Sequence, residues 1–274
     1  MTRPAQTLAT VEQHRQRVTR AHRVRNAADL VKLIDALGFA FAFTVRSGDA
    51  PIPACFDHLS TNDTNRKWNW MWGWKDELPE EKKLYYGVLL ARKPTFVSMK
   101  LLPTFYATFG RAGEADDHDA DVRAGRLSDI ARRIIEYLAQ NGETQTKRMR
   151  AELGITSKEG RATYAKAIDD VQRLMYVARV RAVGEFREDY NYTYDLFVRR
   201  YPETVKAAER LTSAAATASL LTRTLELAGS VTEKQLVRLF DWDEAVAQRA
   251  IARAEDARKL VRLNGSLVLP ELIA

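Results

Sequence analysis

Lys75, Asp76 and Glu77 form the stretch of this chain most suited to chemistry. A carboxylate held near a reacting centre can act as general base toward water. Lys75 can pair with either acid in a surface ion pair. The three follow Trp68-Asn-Trp70-Met-Trp72-Gly-Trp74, four tryptophans at alternate positions. On a helix those rings cannot all share a face, whereas on a strand they do. The expectation is a strand with Lys75, Asp76 and Glu77 at its end, where site residues often collect. Its tryptophan face has two readings. As a core wall, Trp72 and Trp74 are structural. As an open surface, they stack on or wedge between bases, each stacked base contributing about 1–3 kcal/mol.

Other chemistries find little support. The single cysteine, Cys55, excludes an intramolecular disulfide and a cysteine-based zinc site. It reads as a small core residue. His14, His22, His58 and His118 are scattered without metal-ligand spacing. Glu114 to Asp121 is an acidic run containing His118, and carboxylates this dense in a loop are usually solvated. No metal and no cofactor are expected.

The elements that would position these residues are organised around Leu127 to Phe197. Leu127, Ile130, Ala131, Ile134, Ile135 and Leu138 recur at helical spacing, and Asn141-Gly142 ends that helix. Thr146 to Leu153 makes a short second helix. Thr156 or Ser157 caps a third, with Glu159 placed to complete a capping box. This third helix turns Ala165, Ile168, Val171 and Met175 inward and leaves Lys158, Arg161, Lys166 and Arg173 outward. Val177 to Val183 then alternates, breaks at Gly184-Glu185, and returns as Tyr192 to Phe197. Three helices and a hairpin predict a winged helix, whose last helix enters the major groove while its partner crosses the backbone. Arg148, on the second helix, joins the basic set.

The same order recurs toward the C-terminus. Ala214 to Leu227 is helical, and Thr232 caps Glu233 to Phe240. Asp243 caps Glu244 to Ala257, and Asn264-Gly265 turns a hairpin between Leu260–Leu263 and Leu267–Leu269. Upstream, Asn26 caps a helix carrying Leu30, Leu33, Ile34 and Leu37. Gly38 ends it, and Phe39, Phe41 and Phe43 alternate as a strand. This stretch, Asp29 to Val45, is expected to start a third, less regular unit. Leu59 to Asn69 reads as a loop, Leu84 to Leu90 as a packed helix and Thr95 to Met99 as a strand. Met1 to Asn26 is basic, either a helix or a loose arm able to lie along phosphates.

The 274 residues carry a formal net charge of +7, which favours polyanionic partners. No apolar run is long enough to span a bilayer, and the basic N-terminus lacks the apolar core of a secretory signal. The cytoplasm is the expected compartment.

Several motifs carry a resemblance: Trp74-Lys-Asp-Glu-Leu-Pro79, Tyr85-Tyr86-Gly87-Val-Leu-Leu90, Pro94-Thr-Phe-Val-Ser98 with Leu101-Leu-Pro103, and Tyr194-Asp-Leu-Phe197. With its repeated helical units, the chain from about Asp29 onward resembles the AlkZ-type winged-helix DNA glycosylase superfamily, especially its shorter AlkZ-related members. The resemblance implies tandem winged helices, DNA binding and, in active members, removal of alkylated or crosslinked bases. Active members carry a Gln-x-Gln or Gln-x-Asp pair after a helix-ending glycine, which positions water at the sugar. Here the matching stretch is Gly38-Phe-Ala-Phe-Ala-Phe43, which puts Phe41 and Phe43 at the polar positions.

The sequence thus predicts a mainly helical α+β chain of tandem winged helices with short β-hairpins. The expected parts are a basic arm over 1–28, a winged-helix-like domain with an aromatic insert over 29–122, a central winged helix over 123–200 and a C-terminal one over 201–274. The expected partner is duplex or damaged DNA, held by Arg148, Lys158, Arg161, Lys166, Arg173, Trp72 and Trp74. Two alternatives are weighed with it. One is an active glycosylase in which Asp76 or Glu77 activates water or stabilises positive charge on the sugar. The other is a protein-interaction module.

Overall fold

The computed structural model describes residues 4–20, 22–45, 51–111, 113, 117–184 and 190–273. The chain opens with helix α1 (Pro4–Arg20) and α2 (Ala27–Leu37), and the strand β1 (Phe39–Phe41) follows. Asn26 caps α2 by accepting from the Asp29 amide at 2.9 Å, and Leu30, Leu33, Ile34 and Leu37 are buried as their spacing predicts. Gly38 closes α2 at φ +82°, a left-handed conformation that favours glycine.

A 3₁₀ turn at Cys55–His58 leads to α3 (Thr64–Glu80). β2 (Leu84–Val88) and β3 (Pro94–Ser98) then complete an antiparallel sheet of order β1-β3-β2. Short helices α4 (Leu102–Ala107) and α5 (His118–Arg123) connect onward.

Next come α6 (Asp129–Asn141), β4 (Thr144–Gln145), α7 (Thr146–Glu152), α8 (Lys158–Arg173), β5 (Val177–Val183) and β6 (Asn191–Leu196). Their sheet has the order β4-β6-β5. After α9 (Phe197–Arg200) and α10 (Pro202–Ala208) the pattern returns. It runs α11 (Ser213–Ala228), β7 (Ser230–Thr232), α12 (Glu233–Phe240), α13 (Glu244–Asp256), β8 (Val261–Leu263) and β9 (Ser266–Val268), with sheet order β7-β9-β8. Helix, strand, two helices and a hairpin therefore occur twice in full. The first unit follows the same plan, α2-β1-α3-β2-β3, with residues 42–63 where a second helix would stand.

The caps are local and legible. Ser128 accepts from the Ala131 amide and Ser157 from the Gly160 amide. With Ser157 as cap, Glu159 is one residue too early to complete a capping box. Thr232 and Gln235 do make one, each side chain reaching the other's backbone amide.

Three expectations are corrected. The tryptophan stretch is the helix α3, started by Asp63, whose carboxylate accepts from the Arg66 amide at 3.2 Å. Leu84–Leu90 is not helical: β2 is buried on both faces, so its apolar residues show no alternation to read. Ala165 lies on the exposed side of α8; Tyr164, Ala167, Ile168 and Val171 face the core.

Of the two readings of the N-terminal segment, helix or loose arm, the structure shows the helix α1. His14 meets the Glu226 carbonyl at 2.8 Å, Arg15 donates to the Ala228 and Ser230 carbonyls, and Val11 is buried in the C-terminal core. α1 is thereby docked on α11.

The acidic run falls partly outside the described residues, since Glu114 to Asp116 are not among them, and neither is the Glu185 turn. Of the rest, Asp121 is buried and structural, taking Arg126 at 2.7 Å and the Tyr176 hydroxyl at 2.8 Å.

Candidate nucleic-acid interface

α3 occupies the third-helix position of the first unit. Residues two apart on a helix are 200° apart around its axis, so alternate tryptophans fall on nearly opposite sides and those four apart reunite. Trp70 and Trp74 accordingly stack on the inner side, with ring centres 5.3 Å apart. Trp68 and Trp72 lie on the outer side, 47% and 52% exposed. Among the described residues, the only other exposed large hydrophobic side chain is Leu211, which is less exposed than either. Trp68 stacks on Phe43 at 5.3 Å and lies 4.9 Å from Phe56. Arg66 sits 5.2 Å over Trp70 and Lys67 5.6 Å over Phe56. Two exposed indoles one turn apart, flanked by cations, form a surface suited to stacking on bases. Trp74, by contrast, is buried, so its expected place in a DNA surface is corrected to a structural one.

Beside Trp72 the chain builds a polar cluster. Lys75 is only 2% exposed, and its Nζ donates to both Asp76 oxygens at 2.8 and 2.9 Å and to the Tyr192 hydroxyl at 3.0 Å. It also bonds Tyr190, whose hydroxyl donates to Asp76. The same ammonium lies 4.1 Å from the Trp72 ring centre. Burial, together with the Asp76 carboxylate beside it, pushes the Tyr190 hydroxyl far above its ordinary range and keeps it protonated. Arg179 completes the floor, 4.1 Å over Tyr192 and 4.9 Å over Tyr86.

Asp76 therefore already accepts from a lysine and a tyrosine. Glu77 takes no part in the Lys75 bonding and is exposed on the helix surface. The structure brings Asp76, Lys75 and Trp72 together and sets Glu77 apart. Tyr190 and Tyr192 escaped the sequence reading, although Tyr190-Asn-Tyr192-Thr-Tyr194 places three tyrosines on one strand face, a usable signal.

The basic set divides. Lys158, Arg161 and Lys166 are exposed on α8. Arg148 is exposed but already paired with Glu152 at 2.7 Å, one turn along α7. Arg173 is corrected: its side chain is 12% exposed, 3.4 Å from Asp170 and 2.5 Å from Asp241. At the C-terminal end of α8 the third unit covers what would have been an open face.

Phe41 is fully buried in β1, opposite Thr95, and Phe43 is half-buried against Trp68. No polar side chain stands at either position. Burial pushes the Cys55 thiol well above its usual range, which keeps it inert. Among the described residues, no three His, Cys, Asp or Glu side chains converge as a metal site.

Comparison with known proteins places this architecture. No curated protein sequence matches the chain. The solved structure of the Streptomyces sahachiroi DNA glycosylase AlkZ superimposes over 99% of this chain and 71% of its own, with a TM-score of 0.59 and 11% identity. At that identity the likeness shows a shared fold. The family model described as AlkZ related matches residues 24–241. That span covers most of the chain and includes α3, the Lys75 cluster's α3 residues and all of α8, and it shows that the protein belongs to the AlkZ-related family.

Proposed function

We propose that this protein is a repair-linked DNA-binding protein of tandem winged helices that grips duplex or locally distorted DNA and does not excise bases by turnover. The domains would be a winged-helix-like unit over 29–122, a central winged helix over 123–200 and a C-terminal one over 201–274, with α1 (Pro4–Arg20) docked on the last. It would act in the cytoplasm; among the described residues no helix is long and apolar enough to cross a membrane.

The observation that carries the proposal is what the third helices expose. α3 presents Trp68 and Trp72. α8 presents Lys158, Arg161 and Lys166 against one acid on the same exposed stretch, Glu159. The basic balance of that face argues against a module built only for protein contacts.

The glycosylase alternative rests on Asp76, since Phe41 and Phe43 offer water no hydrogen bond. A general base must meet its proton with a free lone pair, and three of the roughly four acceptor positions of Asp76 are already taken, two by Lys75 and one by Tyr190. Binding without excision is the better-supported reading. It is tested by fluorescence anisotropy with intact, nicked and bulged duplexes, alongside scoring of abasic sites on alkylated duplex. Salt-sensitive binding without abasic sites supports it. Excision over many turnovers, or no binding at low salt, overturns it.

A further inference from the structure

α3 and α8 hold the same place in their units but expose different chemistry. The outer stripe of α3 is Asn65, Trp68, Asn69 and Trp72, all exposed. On a helix these four positions fall within about 100° of arc, so they share one face. α8 exposes Lys158, Arg161 and Lys166 and no aromatic ring, its Tyr164 being buried.

Each indole of the stripe is held from one side. Trp68 stacks on Phe43 with 23° between planes, and Phe56 lies 4.9 Å from it. Trp72 has the Lys75 ammonium 4.1 Å from its ring centre and Tyr190 at 5.6 Å. A ring already fixed loses little freedom on stacking, so its open side is prepared for a planar partner. Arg66 over Trp70 and Lys67 over Phe56 put two cations beside the stripe. The acids of the same segment do not cancel them. Asp63 accepts from the Arg66 amide and Asp76 from Lys75, and Glu77 lies about 140° of arc from Trp72.

An intact duplex offers such a surface little. Its neighbouring bases are about 3.4 Å apart along each strand, each covering the next one's face, and only base edges reach the grooves. Trp68 and Trp72 are about 6 Å apart along the helix axis. A strand without its partner presents open base faces to the indoles, and its free Watson–Crick edges suit the amides of Asn65 and Asn69. Its phosphates suit Arg66 and Lys67. A second copy of the chain meeting this face symmetrically would set those cations near their own counterparts, which opposes it.

We infer that the α3 stripe binds an unpaired stretch of DNA strand, Trp68 and Trp72 each stacking on a base, so that the protein prefers duplex interrupted by a single-stranded gap to intact duplex. The inference rests on the DNA-binding reading above and names the part of the DNA that α3 takes, while α8 holds phosphates of the duplex beside it.

The test is fluorescence anisotropy of the full chain with an intact duplex, a nicked one and one carrying a short gap. The gapped duplex is expected to bind at least about tenfold tighter than the intact one. The nicked duplex, as bendable at its break but with its bases paired, should bind as the intact one does. Trp68→Ala and Trp72→Ala should each lower the preference for the gap by about fivefold or more, and the double variant should bring it near one. Trp68→Phe, which keeps a stacking ring, should retain most of it. If Trp68→Ala does not fold, Trp72→Ala decides. Lys158→Ala should weaken all three duplexes alike and leave the preference unchanged. Equal binding of intact and gapped duplex, a nick preferred as strongly as a gap, or a preference that survives loss of Trp72 would overturn the inference and leave DNA binding standing. A dimer in sedimentation that Trp72→Ala dissolves would overturn it in favour of a second copy. No binding to any of the three at low salt would remove the DNA-binding reading and the inference with it.

Discussion

Lys75 and Asp76, neighbours on α3, form a bidentate ion pair with Nζ–O distances of 2.8 and 2.9 Å. The lysine is the buried partner, and the tyrosines of β6 and of the residue before it close over the pair. An acid in this position holds a lysine in place and is a poor candidate for moving a proton.

The first prediction follows from that pair. Wild type is expected to leave alkylated duplex without abasic sites over many turnovers. Asp76→Asn removes the charge that balances a buried ammonium and should cost about 1–3 kcal/mol in denaturant unfolding. Glu77→Gln, at an exposed position, should change stability by less than about 0.5 kcal/mol. Excision by wild type that vanishes in Asp76→Asn, with DNA affinity kept, would make Asp76 catalytic.

The tryptophans separate by face. Trp74→Ala should cost about 3–5 kcal/mol of stability because it empties a packed site. Trp72→Ala loses an exposed ring and one cation–π contact, about 0.5–1 kcal/mol, yet should weaken DNA binding by about 1–3 kcal/mol. Thermal melts and anisotropy on the two variants decide this. A Trp72→Ala protein that binds DNA as wild type does removes α3 from the interface.

Salt titration separates the basic residues. Log K for duplex should fall linearly with log salt, and Lys158→Ala, Arg161→Ala or Lys166→Ala should each reduce the slope by about 0.9 where a phosphate contact is lost. Arg173→Ala should leave the slope unchanged and cost about 1 kcal/mol of stability, since Asp170 and Asp241 both keep Arg92 as a partner. A slope near zero in wild type would remove the phosphate-contact reading.

Acid sensitivity is expected from His58. Burial lowers its pKa below the ordinary 6.5, while Nδ1 is held against the His22 carbonyl at 3.1 Å and Nε2 has no partner. The folded state therefore binds fewer protons than the unfolded state below pH 6.5. The stability this contributes is complete above 6.5 and is lost as pH falls toward the lowered folded value. Its slope is at most about 1.4 kcal/mol per pH unit. His58→Asn should flatten the stability profile just below pH 6.5 relative to wild type; parallel profiles would clear His58 of the effect.

Much of the fold could be read because its signals are local. Asn26 and Thr232 announce helix starts through bonds to amides three residues on, and Asn264-Gly265 announces its hairpin. β2 was hidden because burial on both faces erases alternation. α3 was hidden because a period of two, set by four large rings, overrode the helix signal of Asp63; in the helix the same spacing sorts the rings into an inner and an outer pair. The Lys75 cluster was half visible. Lys75 and Asp76 stand together in the chain, but Tyr190 joins them from 115 residues away, and no local pattern announces a pairing made by tertiary packing. Arg173 looked exposed for the same reason, since its cover, Asp241, comes from another unit.

The docking of α1 sets an order in time. His14 and the Glu226 carbonyl it meets are 212 residues apart. At a synthesis rate of about 5–20 residues per second, the first helix leaves the ribosome roughly 10–40 s before its berth exists. During that interval Val11, Arg15 and their neighbours have no surface to close on, while the first sheet can already form from residues within the first hundred. α1 is therefore made well before it can be fixed. Its arrival fastens it to α11, like a clasp, only once the residues of both have been made.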